Sequence, residues 1–361
     1  MNILIDIAHP AHVHLIKNTY YELINKGHKV IVTVKDIPSA IQLLNIFEIP
    51  FIYLGGKSDS LIGKAFLQLK FNYLLWQVVV REKINIAFGS SLTIAQLSKY
   101  TKVKSIILDD DDDDVEPLFV KYAHSIADVI LSPDVINRKS PATIGYSGYH
   151  ELAYLHPNYF EPDSSVLDDL GIKEGDFFSI LRFNAFKAHH DVGVEGLSIE
   201  NKRKIISVLE KKGRVFITTE REIDEEFRKY QLKMEPEKIH SLLYYATIFV
   251  GDSQTMTSES ALLGTPAVKC NTFAGKLSVP NDIEDSYQLC FSFLPDQTEL
   301  MFSKLTEILN TVDLKEVFQQ RRQQMLADKI DVTAFFTWFI ENYPESAKIM
   351  HSNPDYQYRF K

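Results

Sequence analysis

Short apolar runs alternate with stretches of helical spacing in the first part of the chain. The run at residues 3–7 is followed by apolar positions Val13, Ile16, Tyr20 and Leu23, which fall on one face of a helix. Further short apolar runs occupy residues 29–34, 50–54, 84–88, 104–108 and 129–132. Strands that alternate with helices predict a parallel sheet with right-handed crossovers.

A second alternating series begins after residues 146–162, a segment of weak periodicity that holds prolines, glycine and aromatic residues. Runs at residues 177–181, 214–218, 247–251 and 266–269 predict strands, and segments of helical spacing separate them. The pattern predicts two α/β domains, each a Rossmann-like doubly wound parallel sheet, at residues 1–155 and 156–331. We expect residues 332–361 to form a last helix and a polar, mobile tail.

Charge and composition narrow the choice of partner. The 361 residues carry a net charge of −9, and no cluster of Lys and Arg marks one helix or strand. Nucleic acid is therefore not an expected partner, because binding it requires clustered cations that displace phosphate counterions. The two cysteines, Cys270 and Cys290, lack metal-ligand spacing, and free thiols suit a reducing cytosol.

We expect neither a membrane span nor a signal peptide in this sequence. Its first residues lack a basic start and a long apolar core, and no apolar run approaches the ~20 residues that a span needs. We expect a cytoplasmic protein. Residues 62–80 are rich in Phe, Leu, Tyr and Trp, and they predict either a helix packed on the sheet or peripheral contact with the inner face of the membrane.

Residues 249–266 carry the strongest functional signal. An apolar strand leads into a helix whose first turn is rich in hydroxyl residues. A helix start offers unpaired N–H groups and partial positive charge, which favour a phosphate. The predicted phosphate site comprises Asp252, Ser253, Gln254 and Thr255. Glu259, about one turn further, can accept hydrogen bonds from both hydroxyls of a ribose. The alternative is an ordinary helix that Ser253 caps.

This segment resembles the nucleotide-binding element of GT-B proteins. It is similar, in register, to the UDP-N-acetylglucosamine 2-epimerase pattern Asp-Ser-Gly-Gly-x-x-Glu-Glu-x-x-x-x-Gly-x-Pro, which runs here from Asp252 to Pro266. It also resembles the Ser-Gly-x-x-x-x-x-Glu element of the peptidoglycan N-acetylglucosaminyltransferase. The resemblance implies that Glu259 holds the ribose of a nucleotide sugar. Gln254 and Thr255 stand where the pattern has two glycines.

Three histidines, His9, His12 and His14, stand where the first predicted helix begins, and that helix ends at Gly27-His28. This arrangement resembles the first loop of GT-B transferases, which faces the cleft between the domains. The resemblance implies that His12 acts as a general base on the acceptor, a role that suits imidazole. His9 and His14 are candidates for substrate binding. A capping or structural role is the alternative, and no metal or other cofactor is expected.

Six consecutive aspartates at residues 109–114 must be solvated or neutralised, because like charges repel. Asp109 and Asp110 follow a predicted parallel strand directly, at the sheet edge where α/β proteins bind ligands. Both are candidates for catalysis, and an exposed loop is the alternative. The epimerases place an active-site Glu at about this position. An earlier epimerase acid is replaced by Gly89-Ser90-Ser91, which weighs against plain epimerase activity.

Candidate substrate-binding residues also follow the first predicted strand of the second domain. Arg182 is expected to face a phosphate there. His189 and His190, a few residues further along, are expected to reach the sugar. A surface loop with chance histidines is the alternative.

Three further motifs extend the resemblance over residues 1–340. They are Asp6-Ile7-x-His9-Pro10-x-His12-Val13-His14, the segment 148–155 (GYHELAYL) and the segment 242–246 (LLYYA). With Gly251-Asp252-Ser253, they resemble the prokaryotic GT-B-like family catalogued as domain of unknown function 354. This resemblance implies two Rossmann-like domains that face a cleft, and it implies no particular reaction.

The favoured hypothesis is a metal-independent glycosyltransferase that uses a nucleotide sugar, most simply a UDP-sugar. Its acceptor would be a glycan or a lipid-linked molecule in surface polysaccharide or lipopolysaccharide assembly. One alternative is an enzyme like the UDP-N-acetylglucosamine 2-epimerases. The other is a non-catalytic protein that binds a nucleotide sugar.

Overall fold

The computed structural model describes residues 1–56, 61–183, 196–219 and 223–361. Contacts divide the chain into two compact units. The first unit comprises residues 1–159 and 329–361, and the second comprises residues 160–328. The last segment of the chain therefore packs with the first unit.

The first unit is built on a parallel sheet, and seven of its strands lie in the described residues. The strand order is β3-β2-β1-β4-β5-β6-β7. Because the order reverses between β1 and β4, their carboxyl ends form the switch point where such sheets bind ligands. The strands are β1 (Asn2–Ile7), β2 (Lys29–Lys35), β3 (Phe51–Gly55), β4 (Ile86–Gly89), β5 (Lys104–Leu108), β6 (Val129–Pro133) and β7 (Thr143–Tyr146).

Helices connect these strands and bury their apolar faces on the sheet. His9 caps the first helix and Ser91 caps the fourth, each by accepting a hydrogen bond from a backbone N–H two residues on. The helices are α1 (Pro10–Asn25), α2 (Pro38–Ile46), α3 (Leu61–Glu82), α4 (Leu92–Tyr100), α5 (Pro117–Phe119) and α6 (Leu152–Leu155). A π-helical turn (Val120–His124) follows α5.

The second unit has its own parallel sheet, in the order β12-β11-β10-β8-β9. Its strands are β8 (Phe178–Arg182), β9 (Arg214–Thr218), β10 (Ile248–Gly251), β11 (Ala267–Cys270) and β12 (Cys290–Phe293). Its helices are α7 (Ser165–Asp168), α8 (Ile199–Glu210), α9 (Ile239–Tyr245), α10 (Gln254–Leu262), α11 (Ser278–Tyr287), α12 (Thr298–Leu309) and α13 (Leu314–Asp328). Short 3-10 helices occupy Glu225–Tyr230, Pro236–Lys238 and Pro295–Gln297.

The end of the chain corrects the expectation of a mobile tail. Two helices, α14 (Val332–Glu341) and α15 (Glu345–Ser352), precede a 3-10 helix (Pro354–Phe360). Phe335 is fully buried, and its ring centroid lies 5.8 Å from that of Tyr146 and 5.8 Å from that of Phe360. The polar composition after Pro344 indicated an exposed segment, but Met350 and Gln357 are almost completely buried. The segment packs because these few residues complete an aromatic cluster on the first unit.

The predicted fold class is confirmed, because each unit is an α/β layer structure on a parallel sheet. Two strands were not predicted, β7 and β12, each of only four residues. Between β5 and β6, residues 117–124 are helical, and the helix changes from α5 to the π-helical turn after Phe119. Among the described residues, no helix combines the length and apolar character needed to cross a membrane.

Candidate functional site

In the second unit, the link between β10 and α10 is held in one conformation by close packing. A Cβ on Gly251 would lie 2.4 Å from the carbonyl oxygen of Arg182, so only glycine fits there. The backbone N–H of Asp252 donates to that same oxygen at 3.1 Å, and the Asn271 amide donates to the Asp252 carbonyl at 2.9 Å. These contacts at the end of β10 therefore fix the position of Ser253 at the start of α10.

Ser253 is the N-cap of α10. Its hydroxyl accepts from the N–H of Met256 at 3.5 Å, and its carbonyl accepts from the Thr257 hydroxyl at 2.6 Å. Thr255 is exposed, and Ser253 and Gln254 are half-buried, so this first turn borders solvent. A rigid, accessible helix start is the arrangement that binds an anionic group.

A buried lysine stands beside this helix start, and the sequence analysis did not identify it. Lys269 on β11 is 1% exposed, and its ammonium group donates to the side-chain oxygen of Gln254. Burial lowers the pKa of Lys269 to about 8. The group thus adds a cation close to the first turn of α10, where it favours an anionic ligand.

Glu259 is held by a histidine that sequence analysis also missed. The Nε2 atom of His240 on α9 donates to the Glu259 carboxylate at 3.0 Å, and both side chains are nearly completely buried. A carboxylate fixed in this way has one defined orientation on α10. The motif at residues 242–246 begins two residues after His240. It therefore overlaps α9 but does not include the histidine that contacts Glu259.

Arg182 ends β8 and pairs in register with Gly251, so it lies at the same sheet edge as the start of α10. The phosphate contact expected of Arg182 stays a prediction. His189 and His190 lie outside the described residues.

In the first unit, the switch point carries a buried carboxylate. Asp6 near the end of β1 accepts hydrogen bonds from Thr33 at 2.7 Å and from Ser91 at 2.5 Å. The Lys35 ammonium group lies 4.0 Å from the same carboxylate. Ser91 thus ties the segment Gly89-Ser90-Ser91, which replaces the epimerase acid, to the neighbouring strand.

The three histidines near the start of α1 have different environments. His9 is exposed and caps α1, and its ring centroid lies 5.8 Å from that of His12. His14 packs in the interior against Phe47 and Tyr154, with ring centroids 5.6 and 5.5 Å away. His14 therefore packs in the interior, whereas the rings of His9 and His12 lie near each other at the start of α1.

His12 has the electrostatic character of a neutral imidazole. Burial lowers its pKa to about 3, and the charges of His9 and His150 act in the same direction. A base of such low pKa accepts a proton weakly at neutral pH. A neutral imidazole is better suited to a hydrogen bond with a substrate oxygen. The catalytic role predicted for His12 stays a prediction.

Arg138 organises the aspartate run. Its guanidinium group lies 3.1 Å from the Asp109 carboxylate and 2.8 Å from that of Asp113. It also donates to the backbone carbonyls of Asp109 and Asp111. His124 donates to Asp109 at 2.7 Å, and Asp109 is buried. The run is thus neutralised as well as solvated, and Asp109 holds the loop together.

Asp110 makes a different contact from its neighbours in the aspartate run. Its side chain is 38% exposed, and its carboxylate accepts from Nδ1 of His150 at 3.0 Å, whereas His150 is 8% exposed. The ring of Tyr146 stacks parallel to the imidazole at 6.4 Å. The ion pair with His150, whose ring packs on Tyr146, fixes the orientation of the half-buried Asp110 carboxylate. His150 lies in the GYHELAYL motif at residues 148–155, for which the sequence predicted no role.

Two neighbouring carboxyl groups have opposite pKa shifts. Burial acts to raise the pKa of Asp110, but the charge and hydrogen bond of His150 outweigh it and hold that pKa below the usual value. Burial and the charges of Asp110 and Asp109 raise the pKa of Asp111 to about 7. Carboxyl groups with separated pKa values are suited to act as base and acid in one reaction.

The acidic loop also has the spacing of a cation site, since carboxylate oxygens of Asp109, Asp110 and Asp111 lie within 4.8 Å of one another. Asp109, however, is already bonded to Arg138 and His124. These partners occupy the lone pairs that a metal would need, and the charge of Arg138 repels a cation.

Together, the two sheets and the strand-to-helix elements at their carboxyl ends define an α/β protein of the GT-B type. The chain belongs to the family described as Protein of unknown function (DUF354), whose family model matches residues 1–343. An uncharacterized protein of Methanocaldococcus jannaschii, MJ0665, is 21% identical over 287 residues, which cover 75% of this chain and 82% of that protein.

Solved structures share the fold at low sequence identity. The S. aureus MnaA–UDP complex has a TM-score of 0.68 at 12% identity, covering 96% of this chain and 97% of that one. The UDP-GlcNAc 2-epimerase of Neisseria meningitidis bound to UDP-GlcNAc has a TM-score of 0.64 at 13% identity, covering 89% and 94%. The spinosyn rhamnosyltransferase SpnG with thymidine diphosphate has a TM-score of 0.57 at 11% identity, covering 94% and 100%.

Proposed function

We propose that this protein is a metal-independent enzyme of the glycosyltransferase type that uses a nucleotide sugar, with a UDP-sugar as donor. The observation that carries the proposal is the element from Ser253 to Glu259. A rigid helix start binds the diphosphate, and a buried, oriented carboxylate binds the ribose. Structural neighbours that bind UDP, UDP-GlcNAc or thymidine diphosphate support the same ligand class.

In the proposed reaction, the bond between the sugar anomeric carbon and the phosphate oxygen breaks, and the nucleoside diphosphate leaves with the electron pair. An acceptor oxygen bonds to the anomeric carbon and loses its proton. Asp110 takes that proton, since its pKa is held below the usual value and His150 orients its half-buried carboxylate. His12 contributes a hydrogen bond from a neutral imidazole.

We extend the proposal to the biological setting. The acceptor is a glycan or a lipid-linked molecule, the process is surface polysaccharide or lipopolysaccharide assembly, and the protein works at the cytoplasmic face of the membrane. An exposed aromatic surface on α3 supports a lipid-linked acceptor.

A second candidate function is a 2-epimerase or hydrolysing epimerase. The separated pKa values of Asp110 and Asp111 favour it, because epimerisation at a sugar carbon needs one group to remove a proton and another to return one. The epimerases among the structural neighbours support it as well. The third candidate is a protein that binds the nucleotide sugar without turning it over.

One set of measurements separates the three candidates. A thermal-shift screen of UDP, GDP and CMP sugars comes first, because a ligand at a hundred times its dissociation constant adds about 2.7 kcal/mol of stability. The ligand found is then incubated in D2O without acceptor. Deuterium at C2 of UDP-N-acetylglucosamine indicates epimerase chemistry, and its absence together with transfer to an added acceptor supports the transferase.

The controls follow from the site. Glu259→Ala should abolish the thermal shift, and Asp110→Asn should retain it while removing turnover. Tight binding with no turnover, and an Asp110→Asn variant that stays functional in cells, would support the binding protein. If no nucleotide sugar raised the unfolding temperature, and Glu259→Ala had no effect on function in cells, all three candidate functions would be refuted.

A further inference from the structure

One side of α3 carries a continuous row of exposed apolar and aromatic side chains. Phe66, Leu69, Tyr73, Trp76 and Val80 recur at intervals of three and four residues, so they share one face of the helix. Their exposed fractions are 70%, 66%, 57%, 44% and 57%. Single exposed apolar residues are ordinary, but a contiguous row marks an interaction surface. We call these five residues the α3 stripe.

The fold does not need the α3 stripe for its own packing. Phe71, Leu75, Val78 and Val79 on other faces of α3 are buried in the core of the first unit. Within the α3 stripe, the rings of Tyr73 and Trp76 stack on each other at 6.1 Å and remain exposed. The helix is therefore anchored on one side and presents an apolar surface on the other.

Two Lys-Tyr pairs flank the α3 stripe. Lys99-Tyr100 and Lys121-Tyr122 line one groove of about 600 Å³ together with Leu69. Both lysines are exposed, and the two tyrosines are 77% and 48% exposed. The ammonium group of Lys121 lies 5.2 Å from the ring centre of Tyr122. Lys99 and Lys121 thus place two positive charges at the rim of this groove, on a chain whose net charge is −9.

We propose that the α3 stripe, with Lys99 and Lys121, is a docking surface for an anionic lipid bilayer. Phe66 and Leu69 enter the boundary of the acyl chains, and Trp76 lies at the level of the headgroups, where amphipathic rings are favoured. The lysines meet lipid phosphates.

A second copy of the chain is a poorer occupant. Pairing two α3 stripes offers Lys99 and Lys121 no anionic partner on the stripe itself, because its five residues carry no carboxylate, whereas an anionic bilayer supplies phosphates. The docking surface shares no residue with the element from Ser253 to Glu259. Docking therefore does not depend on the proposed nucleotide-sugar activity, and the two can be tested separately.

The test is sedimentation of the full-length protein with vesicles of phosphatidylcholine alone or mixed with phosphatidylglycerol. We expect binding to the mixed vesicles that weakens as salt rises, because salt screens the lysines. The Leu69→Ser/Trp76→Ser variant should lower the partition coefficient at least about tenfold. The Lys99→Glu/Lys121→Glu variant should lower it by about tenfold or more on mixed vesicles only.

Matched controls lie in the second unit. Leu300→Ser/Val312→Ser removes two apolar side chains that are 60% and 79% exposed, and Lys211→Glu/Lys212→Glu makes the same charge change at exposed positions. Both controls should bind vesicles like the unchanged protein. All four variants should keep the thermal shift with the nucleotide sugar, so a failure of docking is distinguishable from a failure of the donor site.

Tryptophan emission gives a second measurement that needs no change in the α3 stripe. The chain holds two tryptophans, so Trp338→Phe leaves Trp76 as the only one. Its emission should shift to shorter wavelength on addition of mixed vesicles. Equal sedimentation of unchanged protein and Leu69→Ser/Trp76→Ser, or no emission shift, would overturn the proposal. So would a concentration-dependent dimer that the same double variant abolishes, without vesicle binding.

Discussion

The imidazole of His240 donates to the carboxylate of Glu259 across 3.0 Å, and both side chains are shielded from solvent. This contact joins α9 to α10 and determines which way Glu259 points. A ribose that binds through two hydroxyls requires a carboxylate in one orientation, since both hydrogen bonds depend on its plane. The role proposed for Glu259 therefore depends on His240.

The first prediction is that His240→Ala weakens the binding of a UDP-sugar at least about tenfold, because Glu259 loses the partner that orients it. His240→Gln, which keeps a donor, should recover part of the affinity. Titration calorimetry measures both. The exposed His351→Ala is the control and should bind normally. Unchanged affinity in a folded His240→Ala variant would remove Glu259 from the ribose site.

The second prediction separates two neighbouring aspartates. Asp110→Asn should lower turnover by about a hundredfold or more with little change in stability, because it removes a positioned base. Asp109→Asn should lower the free energy of unfolding by about 3 kcal/mol, because it removes the charged partner of buried His124 and leaves buried Arg138 with Asp113 alone. Turnover assays and urea unfolding measure the two effects. Equal loss of stability in both variants would contradict this division of roles.

The third prediction concerns pH. Asp111 has a pKa of about 7 in the folded protein, above the ~3.9 of an unfolded aspartate. The folded state therefore binds the proton more tightly, and this group makes stability fall as pH rises from about 4 to about 7. Asp111→Asn removes that penalty. At about pH 8 the variant should be more stable by on the order of 1–3 kcal/mol, and at about pH 4 it should show no gain.

Urea unfolding across this pH range measures the effect. Asp114→Asn, at the exposed end of the same run, is the matched control and should follow the unchanged protein at every pH. A gain for Asp111→Asn that is the same at about pH 4 and about pH 8 would show that titration of Asp111 is not its cause.

Periodicity predicted the parallel sheets because their strands are buried on both faces and appear as apolar runs. It missed β7 and β12, which have four residues each and mixed polarity. The helix start at Ser253 and the acid Glu259 were predictable because capping and spacing are local properties. His240, His150 and Lys269 were not, since each contacts its partner from a different element of the sheet or its helices.

The last prediction tests the contribution of the C-terminal segment to the first unit. Phe335 is fully buried and lies against Tyr146 of β7 and Phe360 of the last 3-10 helix. Phe335→Ala should lower the stability of the first unit by about 3–5 kcal/mol, because it removes a buried ring and leaves a cavity. Leu300→Ala, at a position that is 60% exposed in the second unit, should change little in stability.

Because the two units can unfold separately, calorimetry should record the full thermal unfolding profile, with the transitions of both units. A nucleotide sugar stabilises the unit that binds it. If Phe335 supports only the first unit, the ligand should still stabilise the transition of the second unit in Phe335→Ala as it does in the unchanged protein.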